Sequence, residues 1–140
     1  MIALPVQAST LLPHKGAMCC IDSLTFFDDK TIQAEALLHQ DHALLNGRVL
    51  DRAGFIELAA QTAGLLQGLG LREKGEAPAL GMLVGVQNVV VMADAFQGDV
   101  LRIGVTREAE LGDIHVLAFT VRRQDVLLAE GQLKVYIPGA

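Results

Sequence analysis

Between Arg52 and Arg72 the chain reads RAGFIELAAQTAGLLQGLGLR, nineteen residues between two arginines with Glu57 as their single charge. At about 100° per residue, Phe55, Leu58, Ala59, Leu65, Leu66 and Leu69 cover most of a helical circumference, so the spacing predicts a buried helix rather than an amphipathic surface one. Its length would be about 27–28 Å at 1.5 Å per residue, the width of a small domain. One narrow strip differs. Glu57, Gln61, Gly64 and Gly68 follow at i, i+4, i+7 and i+11, polar at one end and bare at the other, where backbone or ligand can approach closely. A carboxyl in such a setting must be paired, hydrogen-bonded or protonated. Glu57 is therefore either a satisfied structural group or a catalytic acid. Nineteen residues would nearly span a bilayer, but Glu57, two glutamines and four glycines argue against it, since a central acid costs a span about 2.5–3.5 kcal/mol. The stretch reads as a soluble core helix.

Around it, the 140 residues suffice for one domain, 1–140, with a sizeable core. That core must be aliphatic, because the chain is 51% hydrophobic and only 4% aromatic. A formal charge of −5 without a Lys/Arg run makes nucleic acid or an anionic membrane an unsuitable partner. The N-terminus, MIALPVQASTLLPHKG, lacks the basic and long apolar regions of a signal peptide, so a cytoplasmic location is expected. The two cysteines, Cys19 and Cys20, are adjacent, a spacing that seldom bridges. Alternation would place one of them in the core.

Residues 1–16 read as loop, interrupted by Pro5 and Pro13. In Leu11-Leu12-Pro13-His14-Lys15-Gly16 the proline fixes its own φ and pushes Leu12 towards extended geometry, so His14 is expected on a stiffened turn. Ala17–Phe27 reads as a strand, Asp28-Asp29-Lys30 as a turn, and Thr31–Leu38 as the returning strand. His39, Asp41 and His42 could seed a metal site, but His-x-x-His without further ligands is weak and a solvated loop is the expectation. Asn46-Gly47 marks a turn, Asp51 a plausible N-cap, and Gly70 with Lys74–Pro78 the end of the helix. Strands are expected at Leu80–Met92, Val100–Leu111, Ile114–Arg123 and Val126–Ile137.

Long strands joined by short turns make an antiparallel sheet, and strand twist lets it curl round a helix. The residues alone thus imply an α+β fold, a curved antiparallel sheet of five to seven strands wrapped on one long central helix. An edge strand and one helix face remain under-covered, which favours a dimer.

Three stretches together resemble the (3R)-hydroxyacyl-carrier-protein dehydratases of the hotdog fold. Leu12-Pro13-His14 through Asp22 resembles the family's L-P-H…D segment. Phe55-Ile56-Glu57-Leu58-Ala59-Ala60-Gln61-Thr62-Ala63-Gly64 resembles its helix segment. Leu83–Asn88 followed by Gly98-Asp99-Val100-Leu101 resembles its G-I-D-N…P-G-D-x-L run. Leu44–Arg52, without the family's second histidine and prolines, looks more like the divergent branch of aryl-polyene and related polyketide-type pathways. The resemblance implies a catalytic pair of His14 and Glu57 donated by opposite subunits of a dimer, with Gln61 helping to hold the acid. It implies a β-hydroxyacyl thioester substrate on acyl carrier protein or coenzyme A, and no metal or organic cofactor.

The chemistry suits such a pair. Dehydration needs a base for the Cα proton, which a neutral imidazole can be. It also needs an acid for the departing hydroxyl, which a carboxyl in an apolar surround can be. The thioester oxygen needs donors, expected from backbone N–H groups around Arg52, Ala53 and Gly54. The aliphatic interior beside Gly64 and Gly68 would hold the acyl chain. Lys15, Arg48, Arg52, Arg122 and Arg123 are the candidate cations for an acidic carrier. Two alternatives stand beside this reading: a hotdog thioesterase using Glu57 alone, and a non-catalytic hotdog partner subunit. Neither a G-x-S-x-G motif nor a glycine-rich phosphate loop is present.

Overall fold

The computed structural model describes residues 3–14, 16–75 and 82–138. Lys15, the run from Glu76 through Pro78 and the expected beginning of the Leu80 strand lie outside them. In chain order the elements are β1 (Val6–Gln7), 3-10 turns at Ala8–Thr10 and Gly16–Met18, β2 (Ser23–Phe27), β3 (Thr31–Leu37), β4 (Leu45–Asn46) and β5 (Val49–Leu50). The long helix α1 (Gly54–Glu73) follows, then β6 (Met82–Val91), β7 (Val100–Leu111), β8 (Ile114–Arg123) and β9 (Val126–Tyr136). Seven strands form one sheet in the order β1-β2-β3-β7-β8-β9-β6, while β4 and β5 make a separate small hairpin. Every pairing is antiparallel.

Period-two alternation sets the inner face of this sheet. Ile32, Ala34 and Ala36 of β3, Leu101, Ile103 and Val105 of β7, and Leu117, Phe119 and Val121 of β8 are buried. Helix α1 packs on β3, β7 and β8, and buries Phe55, Leu58, Ala59, Ala63, Leu65 and Leu69 in the same core. The two hydrophobic periods therefore meet face to face, as the apolar helix required.

Local chemistry terminates these elements. Asp51 Oδ1 accepts the Ala53 N–H at 3.0 Å, and the Asp51 carbonyl accepts the Gly54 N–H at 2.7 Å, so Asp51 does cap the helix. At the other end the helix runs through Gly70, expected to help end it, and stops after Glu73, where Gly75 takes φ +73°. In the β2–β3 turn Asp28 Oδ1 accepts the N–H groups of Lys30 and Thr31 at 2.9 and 2.7 Å. Those donors hold its carboxyl below the usual carboxylate range.

Two segments differ from the expected pattern. Residues 1–16 are not all loop, since β1 pairs with β2 and the following turn buries Leu11 and Leu12. The strand expected from Ala17 begins only at Ser23. Its first half leaves the sheet because the Cys20 N–H is drawn to a helix side chain, at Gln61 Oε1. At the far end of the sheet β6 is an edge, and Met82, Leu83, Val84, Val86 and Val90 along it are exposed.

Candidate active site

The site is built where the Leu11–His14 turn crosses the helix. Gly68 makes the crossing possible: a Cβ there would overlap the Leu11 carbonyl oxygen. Gly64 faces Leu12, whose Cδ2 would lie 3.0 Å from an added Cβ. At the bare end of the helical strip the chain's own turn thus crosses at Gly68, while Leu12 packs beside Gly64. Pinned in this way, the turn brings His14 to a cavity that Glu57 also lines.

His14, Glu57, Gln61, Gly64 and Gln67 line one cavity of about 150 Å³, closed by Leu12, Ala60, Leu83, Val135 and Ile137. Its wall is apolar apart from His14, Glu57, Gln61 and Gln67. Within it, His14 Nδ1 and Gln67 Oε1 are buried and bond to no protein group. A buried polar atom without a partner carries a desolvation cost of about 1–3 kcal/mol. Gln67 was not singled out in the sequence, although a second glutamine in an otherwise apolar helix was the available signal.

Gln61 is the organising group. Its Nε2 donates to Glu57 Oε1 at 2.9 Å and to the Met18 carbonyl at 2.8 Å, while its Oε1 accepts the Cys20 N–H at 2.7 Å. These partners settle which end of the amide is oxygen. The side chain is buried, so it both holds the acid and ties the helix to the Met18–Cys20 segment. Glu57 itself is half-buried rather than fully enclosed.

Glu57 also borders a second, larger cavity of about 630 Å³, walled by Met18, Cys20, Leu44, Leu45, Ala53 and Gly54. The carboxyl therefore stands at the junction of two spaces. Of the three N–H groups expected to receive a thioester oxygen, those of Ala53 and Gly54 already donate to Asp51. The Arg52 side chain is exposed and pairs with Asp94 at 3.0 Å. Arg123 is likewise engaged, with Asp99 at 2.9 Å; Arg48 is exposed.

No group of three His, Cys, Asp or Glu side chains suited to a metal occurs among the described residues. The loop expected to be solvated around His42 is not so there. His42 is buried, and its Nε2 bonds the Cys20 carbonyl at 2.8 Å. His39 Nδ1 accepts the Asp41 N–H at 3.2 Å. Among the described residues no helix is long and apolar enough to cross a membrane.

Both cysteines carry reduced thiols, and Cys20 is buried in the wall beside Glu57. Burial pushes its thiol up, the Glu57 charge adds to the shift, the hydrogen bond with Gln61 opposes it, and Cys19 adds a smaller rise. A raised thiol holds less thiolate at a given pH, so iodoacetamide should label Cys20 more slowly at pH about 8 than an unperturbed cysteine. Glu57→Gln removes one cause of the rise and should accelerate labelling. Peptide mass spectrometry against time reads both rates, and equal rates in the two proteins would contradict the assignment.

Comparison with known proteins agrees with this fold. Residues 6–140 match the family model described as ApeP-like, ApeP dehydratase. The chain is 31% identical over 139 residues to an uncharacterized thioester dehydrase, BH1850, of Halalkalibacterium halodurans, covering 94% of this chain and 88% of that one. Among solved structures it is similar to the dehydratase heterocomplex ApeI:P from Xenorhabdus doucetiae, with a TM-score of 0.86, 26% identity and coverage of 96% and 92%. A hypothetical thioesterase from Streptococcus pneumoniae solved with coenzyme A, at a TM-score of 0.65 and 14% identity over 83% and 84% of the two chains, shares the fold. With one helix held by a seven-stranded antiparallel sheet and the His14 and Glu57 motifs at one cavity, the chain belongs to the ApeP-like dehydratase family, a hotdog branch of the aryl-polyene type.

Proposed function

We propose that this protein removes water from a (3R)-3-hydroxyacyl thioester, carried on acyl carrier protein or coenzyme A, to form the trans-2-enoyl thioester. The observation that carries the reading is that His14 and Glu57 line one cavity, with Gln61 fastening the acid. His14 takes the Cα proton, and the electron pair released becomes the Cα–Cβ double bond. The Cβ–O bond breaks as Glu57 delivers a proton to the leaving hydroxyl, which departs as water. Because Gln61 occupies Oε1, Oε2 is the oxygen free to carry that proton. Proton exchange with solvent then returns His14 to its neutral form and Glu57 to its acid form.

The exposed apolar edge of β6 supports pairing with a second hotdog chain, which covers an edge that would otherwise invite aggregation. His14 and Glu57 of a single chain line one cavity, and in a dimer the His14 of one subunit would serve the Glu57 of its partner, as the family resemblance implies.

Purified protein incubated with a 3-hydroxyacyl thioester should yield the trans-2-enoyl product, identified by mass loss of one water. Release of free thiol without enoyl product would assign hydrolysis instead. Turnover that appears only with a second hotdog chain, and survives loss of His14 and Glu57, would make this chain a partner subunit.

A further inference from the structure

His42 belongs to no motif of the proposed reaction, yet it is among the few buried polar side chains. Its surroundings leave little freedom. The Leu44 N–H points at Nδ1 at 3.2 Å, so Nδ1 must accept. Nε2, 2.8 Å from the Cys20 carbonyl, must then carry the ring proton and donate it. Both ring nitrogens are used, and one neutral tautomer satisfies both.

The carbonyl gripped by His42 belongs to the residue whose N–H is gripped by Gln61, at 2.7 Å. Cys20 is therefore held at both of its backbone polar groups, by imidazole on one side and by helix amide on the other. Gln61 in turn holds Glu57 Oε1. Leu44 completes the circuit: its carbonyl accepts the N–H of Asp51, the residue that caps α1. The order is Asp51, Leu44, His42, Cys20, Gln61, Glu57, a chain of bonds fastened at both ends to one helix, of which Asp51, Leu44, Cys20 and Glu57 line the larger cavity.

The geometry points to His42 as the positioning residue that sets the Glu57 carboxyl by fixing the Cys20 backbone against which Gln61 is braced. This inference rests on the reading of Glu57 as the catalytic acid. Without the His42 bond, the Cys19–Asp22 segment, which is outside the sheet, has one tie fewer to the interior. Gln61 then follows its Cys20 partner, and the carboxyl loses the alignment on which proton delivery depends.

Two variants separate this role from mere packing. Asparagine places its oxygen where Nδ1 stands and keeps the Leu44 bond, but does not reach Cys20. Glutamine places its amide nitrogen near Nε2 and keeps the donor to Cys20. In His42→Asn, kcat should fall about tenfold to a hundredfold with KM nearly unchanged, and hydrogen exchange at the Cys20 amide should quicken about tenfold. His42→Gln should recover most of both, at a melting temperature close to that of His42→Asn. Equal losses in the two variants, or wild-type kcat and exchange in His42→Asn, would overturn the positioning role. Exchange at Cys20 is measured without substrate, so absent turnover in the wild-type protein would count against the dehydratase reading while the exchange rates still judge the frame.

Discussion

Replacing His14 by alanine, or Glu57 by glutamine, should lower kcat for dehydration of a 3-hydroxyacyl thioester by about 10²- to 10⁴-fold, the usual worth of a positioned acid or base. The two groups have complementary duties. His14 and Glu57 line the same cavity, and no protein group bonds the His14 Nδ1. The alanine removes the proton acceptor, and the glutamine removes the transferable proton. Glutamine still presents an oxygen to Gln61, so the frame that holds the carboxyl survives and the loss is chemical rather than structural. Because both groups act in one step, the double variant should be barely slower than the worse single variant. Steady-state rates, paired with melting temperatures that stay near wild type, are the measurement. A variant with undiminished kcat would remove its residue from the mechanism.

The largest effect on stability is expected at Gly68. A Cβ at that position meets backbone, the Leu11 carbonyl, which cannot rotate away as a side chain can. Gly68→Ala must push the Leu11–His14 turn off the helix, at about 3 kcal/mol and on the order of 10 °C in melting temperature. Gly64 and Gly70 supply graded controls on the same helix. At Gly64 the added Cβ meets only Leu12 Cδ2 at 3.0 Å, the end of a movable side chain, so Gly64→Ala should cost about 1 kcal/mol. At Gly70 nothing lies within 4 Å, and Gly70→Ala should be neutral or stabilise by up to about 1 kcal/mol, since alanine is the better helix former. Thermal unfolding of the three variants tests the order. Were Gly68→Ala no less stable than Gly70→Ala, the close crossing would be refuted. Activity should follow stability at Gly68, because the displaced turn carries His14.

Much of this was readable from residues near one another in the chain. The buried helix, its Asp51 cap, the Gln61 partner one turn beyond Glu57 and the alternating strands β3, β7 and β8 are all encoded at spacings of two to four residues. Burial on one face writes such periods directly into composition. Even the bare strip of Gly64 and Gly68 announced a close approach, without saying what approaches.

What approaches, and what the site is made of, depended on contacts between residues far apart in sequence. Leu11 against Gly68, Cys20 against Gln61 and His42 against Cys20 leave no local period. For that reason the strand expected from Ala17 is cut short. The pull on the Cys20 N–H comes from a helix encountered only after the chain has folded back. His42 looked like a solvated loop residue for the same reason, since its burial is supplied by segments that its neighbours do not reveal. The amino-acid order alone determined a helix bearing one acid, a stiff turn bearing one imidazole and a sheet able to enclose them. That His14 and Glu57 line one cavity, with Gln61 bonded to the carboxyl and His42 to the Cys20 carbonyl, is a product of packing, because side-chain convergence is set by the shape of the whole core and not by any stretch of it.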